Sequence, residues 1–419
     1  MAVTHEANLH SSEPTSEGTQ LPPVGLDPNA PIPTGEIENA LRQTINDALN
    51  LELWQQGSSL QGLRRVQEHL VKAIHDQKRV LGNVRKLILS ELARYQNAPS
   101  TAGVYRVKAD DLRMARRKIL LSGNTTAVRG ASVAHESLVA SLVSVGICLT
   151  RYDGQIRSWK NVFMRHDCDL RSGNVVEEIR AILNQRARRS RVGPGAKGQD
   201  GITRLMRRAF QAAAERKALL EKAESGWRMG YGVPAPYELL TGSGSMDLID
   251  SVLPVLESLL LADRRWVFVP DNLDSLAFST LAAALNPGEL AIFQTAKATL
   301  DDIVDGGHYS TVARAKVRKF ADFAGDAIVI GGFRAGRFAS PQIFFAHAEH
   351  AIHAGLVAMA DAELQPHRGF PLLLELAGVS AKVGLGIDAF QSTVESAYAS
   401  AGAGGFYSPE GAFRHERAE

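Results

Sequence analysis

The sequence contains few of the residue types that mark several common classes of protein. Its 419 residues include two cysteines, Cys148 and Cys168, which lack the spacing of a metal site. This excludes a disulfide framework and fits a reducing compartment. The formal net charge is only +2, so any contact with nucleic acid has to rest on a local patch.

Signals for a membrane or for secretion are also missing. No apolar run approaches the ~20 residues that a transmembrane helix needs. Residues 1–34 have neither the basic nor the apolar region of a signal peptide. We therefore expect a cytoplasmic protein without a membrane partner.

Two common catalytic motifs are absent from the glycine-rich stretches. Gly242–Ser243–Gly244 is not followed by the Lys and Ser or Thr of a phosphate-binding loop. The same stretch lacks the G-x-S-x-G spacing of a nucleophile elbow. Nucleotide hydrolysis by this chain is therefore not expected.

Changes in amino-acid composition along the chain predict four segments. Residues 1–34 are rich in Pro, Ser, Glu and Gly and are predicted to be a disordered tail. Residues 35–98 form a helical arm, in which Gly57–Ser59 separates two helices. Residues 99–400 form an α/β domain, and 401–419 a flexible tail.

The arm carries a heptad pattern of apolar residues with charges elsewhere. The apolar positions, three or four residues apart, are Leu60, Leu63, Leu70, Ile74, Leu81, Val84 and Ile88. One interpretation is a coiled coil for self-association or partner docking. The other is a helical pair that lies on its own domain, and periodicity does not separate the two.

The domain alternates strand and helix signals after an antiparallel hairpin. Asp153–Gly154 supplies the turn between Val139–Arg151 and Gln155–Met164. Helices are predicted at about 174–187 and 201–224, and from Leu273, Thr311 and His347 onward. The other predicted strands are Thr125–Val128, Arg265–Pro270, Ala291–Gln294, Ala327–Gly331 and Gln342–Ala346. The predicted fold class is α/β, with a mixed sheet flanked by helices and a long helical arm.

Carboxylates and histidines are the candidate chemical groups. Asp271 follows a strand, where open α/β sheets place active groups, but it also suits a helix cap. Asp153 suits a turn. His347, His350 and His353 recur at a three-residue spacing that a metal could use, although solvated histidines on a helix give the same pattern.

A basic segment crosses the middle of the chain. It contains Arg186, Arg188, Arg189, Arg191, Lys197, Arg204, Arg207 and Arg208. Such a patch can neutralise phosphates even in a nearly neutral protein. A solvated loop and helix face is the other interpretation.

Three segments resemble one family. They are Asn124–Thr150 with Arg129–Gly130 and His135–Glu136, then Gly232–Gly242, then Pro366–Leu373. Their order is similar to that of the NurA-type DNA-end nucleases, over residues 100–385. The resemblance implies a ribonuclease-H-like sheet, a helical arm, a homodimer, Mn²⁺ or Mg²⁺ as cofactor, and a HerA-type hexameric ATPase as partner on DNA ends.

The sequence departs from this family at its metal site. The family places its first metal ligand, an aspartate, directly before a glycine, and here Arg129 precedes Gly130. A later aspartate-glycine pair has its nearest counterpart at Thr241–Gly242. Divalent cations need clustered carboxylate oxygens. The alternatives are a shifted alignment, a rebuilt site, or lost catalysis.

For a rebuilt site, the resemblance implies Glu136, Glu238 and Asp271 as catalytic metal ligands, with Asp153 in reserve. His367 would orient or protonate the leaving group. Arg368 would contact a phosphate, together with the basic segment.

Three functional hypotheses remain open. The first is a NurA-like protein on DNA ends, either an active nuclease or a degenerate copy. The second is a non-catalytic adaptor that uses the arm for assembly. The third, a metal-dependent hydrolase using His347 and His350, has the least support.

Overall fold

The computed structural model describes residues 45–51, 60–136, 140–166, 180, 199–271, 275–307 and 309–402. The chain divides into a unit of residues 1–54 and a unit of residues 55–419. Helix α1, Ile45–Leu49, belongs to the first unit, and every element discussed below belongs to the second.

The second unit interleaves helices and strands. Its helices are α2 (Leu60–Leu87), α3 (Ala109–Ala115), α4 (Gln199–Lys222), α5 (Tyr237–Leu240), α6 (Met246–Leu256), α7 (Leu276–Ala283), α8 (Lys297–Gly306), α9 (Thr311–Ala327), α10 (Ala351–Ala362), α11 (Leu372–Leu385) and α12 (Ile387–Ser400). Its strands are β1 (Gly103–Arg106), β2 (Thr125–Glu136), β3 (Ala140–Thr150), β4 (Ile156–His166), β5 (Trp227–Tyr231), β6 (Trp266–Val269), β7 (Glu289–Thr295), β8 (Ile328–Arg334) and β9 (Gln342–His347).

The described strands form one mixed sheet. Their order is β1-β7-β8-β9-β6-β5-β2-β3-β4. The neighbours β2, β5 and β6 run parallel, and every other neighbouring pair is antiparallel. Parallel strands need both faces covered, and helices α4 and α6 precede and follow β5 in the chain.

Helices cover both faces of the sheet. Along β6, Trp266 and Phe268 enter one hydrophobic cluster, while Val267 and Val269 enter the cluster on the other face. All four side chains are fully buried. A strand buried on both faces appears as a continuous apolar run, because alternate side chains point to opposite faces.

The predicted mixed α/β architecture is confirmed. The hairpin is confirmed too, since Thr150 pairs with Ile156 across a turn that contains Gly154 at φ +87°. Strand β2 is longer than predicted, because it continues past Val128 to Glu136 and so includes both Arg129–Gly130 and His135–Glu136. The predicted helix at 174–187, the Gly57–Ser59 break and the two tails lie outside the described residues, apart from single positions.

The arm helix α2 contacts the domain through its C-terminal part. Leu81 and Val84 pack against the hydrophobic core. Toward the N-terminus, Val66, Leu70 and Ile74 are 62%, 58% and 42% exposed. The interpretation of a helix lying on its own domain therefore holds only for the last turns of α2. No helix in the described part of the chain combines the length and apolarity needed to span a bilayer.

A buried carboxyl group links α10 to α11. Asp361 is fully buried, and it accepts hydrogen bonds from the Tyr152 hydroxyl at 2.5 Å and the Leu373 amide at 2.9 Å. Burial raises the pKa of Asp361 from 3.8 to about 6. The carboxyl thus anchors the first turn of α11 and the end of the hairpin.

Titration of Asp361 should make the protein less stable as the pH rises. Because its pKa is higher in the folded than in the unfolded chain, the free energy of unfolding should fall between pH 4 and 7, by on the order of 3 kcal/mol. Asp361→Asn should remove this part of the pH dependence. Urea unfolding of both proteins across that range measures it.

The exposed variant Asp302→Asn is the matched control and should keep the wild-type pH dependence. A difference between wild type and Asp361→Asn that stays constant with pH would contradict the raised pKa.

Candidate functional site

The candidate site lies where the parallel pairing of β2, β5 and β6 ends, at the carboxyl ends of β5 and β6, while β2 continues to Glu136. Val128 on β2 pairs with Gly230 on β5, and Tyr231 pairs with Val269 on β6. Arg129 and Tyr231 therefore stand side by side, and Asp271 follows two residues after β6. This edge is where open α/β sheets gather functional side chains.

Arg129 forms the centre of the site. Its Nη2 donates to Oδ2 of Asp271 at 2.8 Å, and the Tyr231 hydroxyl donates to the same oxygen at 3.0 Å. The guanidinium carbon lies 4.0 Å from the centre of the Tyr231 ring, a cation–π contact. The Arg129 side chain is only 13% exposed. Burial and the Asp271 carboxylate raise the pKa of Tyr231, so its hydroxyl stays a donor.

Helix α11 makes room for this arginine. A Cβ at Gly378 would lie 2.7 Å from Cδ of Arg129, too close for any larger residue unless the arginine moved. The Phe370 ring centre is 6.0 Å from the guanidinium carbon. The segment Pro366–Leu373 thus meets the site through Phe370.

A second buried ion pair borders the first. Glu215 on α4 accepts from the Gly130 amide at 2.7 Å and from Arg216 Nη1 at 2.7 Å. Both charged side chains are 3% exposed. Arg216 also donates to the carbonyls of Val233 and Pro234, so it fixes the chain after β5. Burial raises the pKa of Glu215, and Arg216 opposes that shift.

Sequence reasoning missed this second pair. The sequence signal that could have revealed it is the adjacent charged pair Glu215–Arg216 on the apolar face of α4, which also carries the buried residues Ala209, Ala218 and Leu219. Charged residues at such positions are rarely buried unless they are paired.

The structure brings two of the predicted ligands near this charge network. Asp271 is part of it directly. Glu238, on α5, lies 4.0 Å from Arg208 and acts electrostatically on Arg216. The backbone of Glu136 pairs with Ser141 at the end of β2, while its side chain lies outside the described part.

The other predicted residues are more scattered. His367 and Arg368 lie in the exposed turn before α11, where Arg368 pairs with Glu375 at 2.5 Å. Arg207 is half-buried, and Arg208 is 58% exposed. Positions 186, 188, 189 and 191 of the basic segment lie outside the described residues.

Two remaining candidates have structural partners. Asp153 pairs with Arg151 in the hairpin. His347 accepts from the Glu349 amide at 3.2 Å, and the His350 ring lies 6.3 Å from Trp227. The described residues contain no group of three His, Cys, Asp or Glu side chains able to hold a metal. His347, His350 and His353 therefore form no such group in the described structure, and metal binding by the His347–His350 pair stays a prediction.

The surroundings of Arg129 do not fit a divalent cation. A metal ion needs free carboxylate oxygens, whereas Oδ2 of Asp271 already receives two donors and a guanidinium lies against it. Glu215 is likewise occupied by donors on both oxygens. The predicted set of Glu136, Glu238 and Asp271 stays a prediction, because it depends on the Glu136 side chain.

Comparison with known proteins identifies structural neighbours only. No family model and no curated protein matches the chain. The NurA nuclease from Sulfolobus solfataricus is similar at 9% identity, over 80% of this chain and 98% of that one, with a TM-score of 0.40. A structure of NurA with manganese is similar at 10% identity, over 80% of this chain and 98% of that one, with a TM-score of 0.40. A structure of NurA bound to dAMP and manganese is similar at 9% identity, over 76% of this chain and 92% of that one, with a TM-score of 0.37. Similarity at this level assigns no activity.

A double-mutant cycle should detect the Arg129–Asp271 pair. Arg129→Gln, Asp271→Asn and the double variant should reveal a coupling of about 1 kcal/mol in the free energy of unfolding, since the pair is mostly buried but reached by solvent. The matched control is the exposed pair Arg94–Glu91, at 2.8 Å, whose coupling should be near zero. Equal couplings in the two cycles would refute a special role for Arg129. Chemical denaturation measures all of these values.

Proposed function

We propose that this chain is a cytoplasmic NurA-like protein of DNA ends in which an internal arginine stands where a divalent cation would bind. It is then a degenerate copy of a metal-dependent nuclease that binds DNA without cutting it. The observation that carries this proposal is the Arg129–Asp271 ion pair at the carboxyl edge of the parallel strands.

Electrostatics favours the arginine over a metal ion. Two cations about 4 Å apart at an effective dielectric near 20 repel by about 4 kcal/mol for each unit of charge product. A divalent ion beside Asp271 would face that repulsion from Arg129. With Mn²⁺ or Mg²⁺ unable to compete, no metal-bound water is available as a nucleophile there.

The sheet supports the fold that the resemblance implies. The five strands β4-β3-β2-β5-β6 contain an antiparallel meander joined through β2 to two parallel strands. We assign these five strands to the ribonuclease-H-like part. This places Arg129 on its central strand.

DNA contact rests on the exposed cations. Arg208 on α4 and Arg368 before α11 are 58% and 67% exposed. We assign them, with Arg207 and the basic segment before α4, to phosphate contacts. A HerA-type hexameric ATPase is the proposed partner on DNA ends.

The arm supports a homodimer within the same proposal. Leu70 and Ile74 occupy heptad positions, yet both are exposed. Pairing with a second copy would bury them in a coiled-coil seam. The same exposed seam favours the alternative function, an adaptor whose arm docks onto a different partner.

The protein should bind linear DNA without degrading it. End-labelled duplex DNA should stay intact in all three incubations, with Mn²⁺, with Mg²⁺ and with EDTA. The double variant Glu136→Ala/Glu238→Ala should give the same result as wild type. Gel shifts should show binding that weakens steeply with salt and is reduced in Arg207→Gln/Arg208→Gln. Arg94→Gln, on an exposed surface pair, is the control for lost charge.

Metal-dependent degradation that the double alanine variant lacks would show a rebuilt, active nuclease. Failure to bind DNA would leave the adaptor as the better function. The assay is repeated with the ATPase present, so that activity dependent on the partner is detected.

Breaking the arm seam should abolish dimerisation. Leu70→Asp/Ile74→Asp places charges in the seam and should turn a dimer into a monomer in sedimentation velocity. His75→Asp/Asn83→Asp adds the same charges at exposed positions away from the seam and should leave the dimer intact. A monomeric wild-type protein would exclude the homodimer.

A further inference from the structure

A short loop between β8 and β9 carries one exposed aromatic side chain. Phe338 is 76% exposed, whereas its neighbours Ala335 and Ala339 are buried in the hydrophobic cluster on the α10 face of the sheet. It is the only large apolar side chain that is exposed in residues 335–341. Single exposed apolar residues are common on proteins, so the role of this ring depends on what surrounds it.

The loop is anchored on both sides of this ring. Nη2 of Arg334 donates to the carbonyl of Arg337 at 3.1 Å. Ser340 lies against the turn before α11, where a Cβ at Gly369 would be only 2.5 Å from the Ser340 carbonyl oxygen. Gly369 also has a φ of +70°, which favours glycine. Because the loop is already ordered, binding at Phe338 would cost less conformational entropy than binding at a free loop.

An exposed guanidinium lies beside the ring. The guanidinium carbon of Arg337 is 5.7 Å from the centre of the Phe338 ring, which is within the range of a cation–π contact. Among the described residues, no carboxylate forms an ion pair with Arg337. Aromatic rings and guanidinium planes are the two kinds of side chain on which unpaired nucleic-acid bases stack. The loop presents one of each, next to each other.

Further cations lie at the same edge of the sheet. Strands β1 and β8 run parallel to β6, so their last residues, Arg106 and Arg334, lie at the edge where β6 ends. These two residues flank Glu289 in one row across the sheet. Arg85 already donates to both oxygens of that carboxylate, at 2.7 and 2.8 Å. Three arginines thus surround one carboxylate, and the group has a net positive charge.

The loop is also continuous with the Arg129 site. Gly369 lies against Ser340, and the ring centre of the next residue, Phe370, is 6.0 Å from the Arg129 guanidinium carbon. On the other side of Gly369 is the exposed Arg368, which pairs with a carboxylate on α11. A nucleic-acid strand that follows these cations would therefore pass from the candidate site to the exposed ring.

We propose that Phe338 and Arg337 form a stacking surface for one unpaired base of single-stranded DNA. Stacking supplies the contact to the base, and the nearby arginines hold the backbone phosphates. A protein partner would suit a group of apolar side chains depleted of charge, whereas here a single ring stands among arginines. This inference rests on the proposed function, because it names the form of DNA end that the protein prefers, one with unpaired bases.

Fluorescence anisotropy of the full-length protein with two labelled duplexes tests the inference. One duplex is blunt, and the other ends in a single-stranded overhang of about six nucleotides. Wild type should bind the overhang duplex more tightly. Phe338→Ala should weaken binding to that duplex about tenfold, as expected for the loss of one stacked base, and leave binding to the blunt duplex unchanged. Phe338→Trp should keep the preference for the overhang, because its ring also stacks on a base.

Phe323→Ala is the matched control. Phe323 is 65% exposed on α9, whose buried side chains belong to the hydrophobic cluster on the opposite face of the sheet. The control variant should bind both duplexes like wild type, and circular dichroism checks that each variant is folded. A fluorescent adenine analogue in the overhang reports the stack itself. Its emission should be quenched by saturating wild-type protein and not by saturating Phe338→Ala.

The failure of this inference is distinguishable from that of the proposed function. Equal affinity of wild type for the two duplexes, or an equal loss in Phe323→Ala, overturns the inference while DNA binding stands. Overhang binding that Phe338→Ala retains in full also overturns it, and a protein contact then remains for this loop. If wild type binds neither duplex, the proposed function fails, and the stacking surface fails with it.

Discussion

Arg129 lies inside the central strand β2, directly after the residues that pair with β5, and its charge there requires compensation. A cation at 13% exposure has lost most of its hydration, so it is stable only against a carboxylate and other acceptors. Asp271 provides the compensating negative charge. The Tyr231 ring packs against the guanidinium, and the Tyr231 hydroxyl donates to the same Asp271 oxygen. Gly378 has no side chain and so leaves room for Arg129. Strands β2, β5 and β6 and helix α11 therefore meet at one guanidinium.

The second ion pair extends the same constraint to α4. Glu215 is bound by the amide of Gly130, the residue directly after Arg129, and Arg216 is bound by carbonyls after β5. Removing one partner of such a pair leaves an uncompensated buried charge, which is more costly than never having had the pair. The effects of substitutions at this edge on stability are therefore coupled, and Arg129 cannot be moved or replaced without affecting Glu215 and Arg216.

Local sequence signals predicted much of the sheet but not its order. Strands β6, β8 and β9 are runs of buried apolar residues, and each was predicted close to its observed bounds. Strand β1 is four residues long with little burial contrast, which explains why it was missed. The pairing of β6 with β9 joins residues far apart in sequence, and no local pattern encodes such a pairing.

The candidate site was only half predictable for the same reason. Asp271 was found because it follows an apolar strand, and Arg129 because it stands before Gly130 where the resembled family has an aspartate. Their contact at 2.8 Å spans 142 positions of sequence and depends on the parallel pairing of β2, β5 and β6. Glu215 was missed because its neighbours on α4 are small and helical, which conceals a buried charge.

The two ends of the parallel strands differ in how deeply their ion pairs are buried. At the carboxyl end, Arg129 and Arg216 are 13% and 3% exposed, and each has a carboxylate in contact. At the amino end, Arg151 pairs with Asp153, and Arg157 pairs with Glu224 through side chains that are 47% and 67% exposed. Solvent screens an exposed pair, whereas a buried charge has lost its hydration and depends on its partner. In this fold the edge that usually holds the chemistry is closed by its own buried ion pairs.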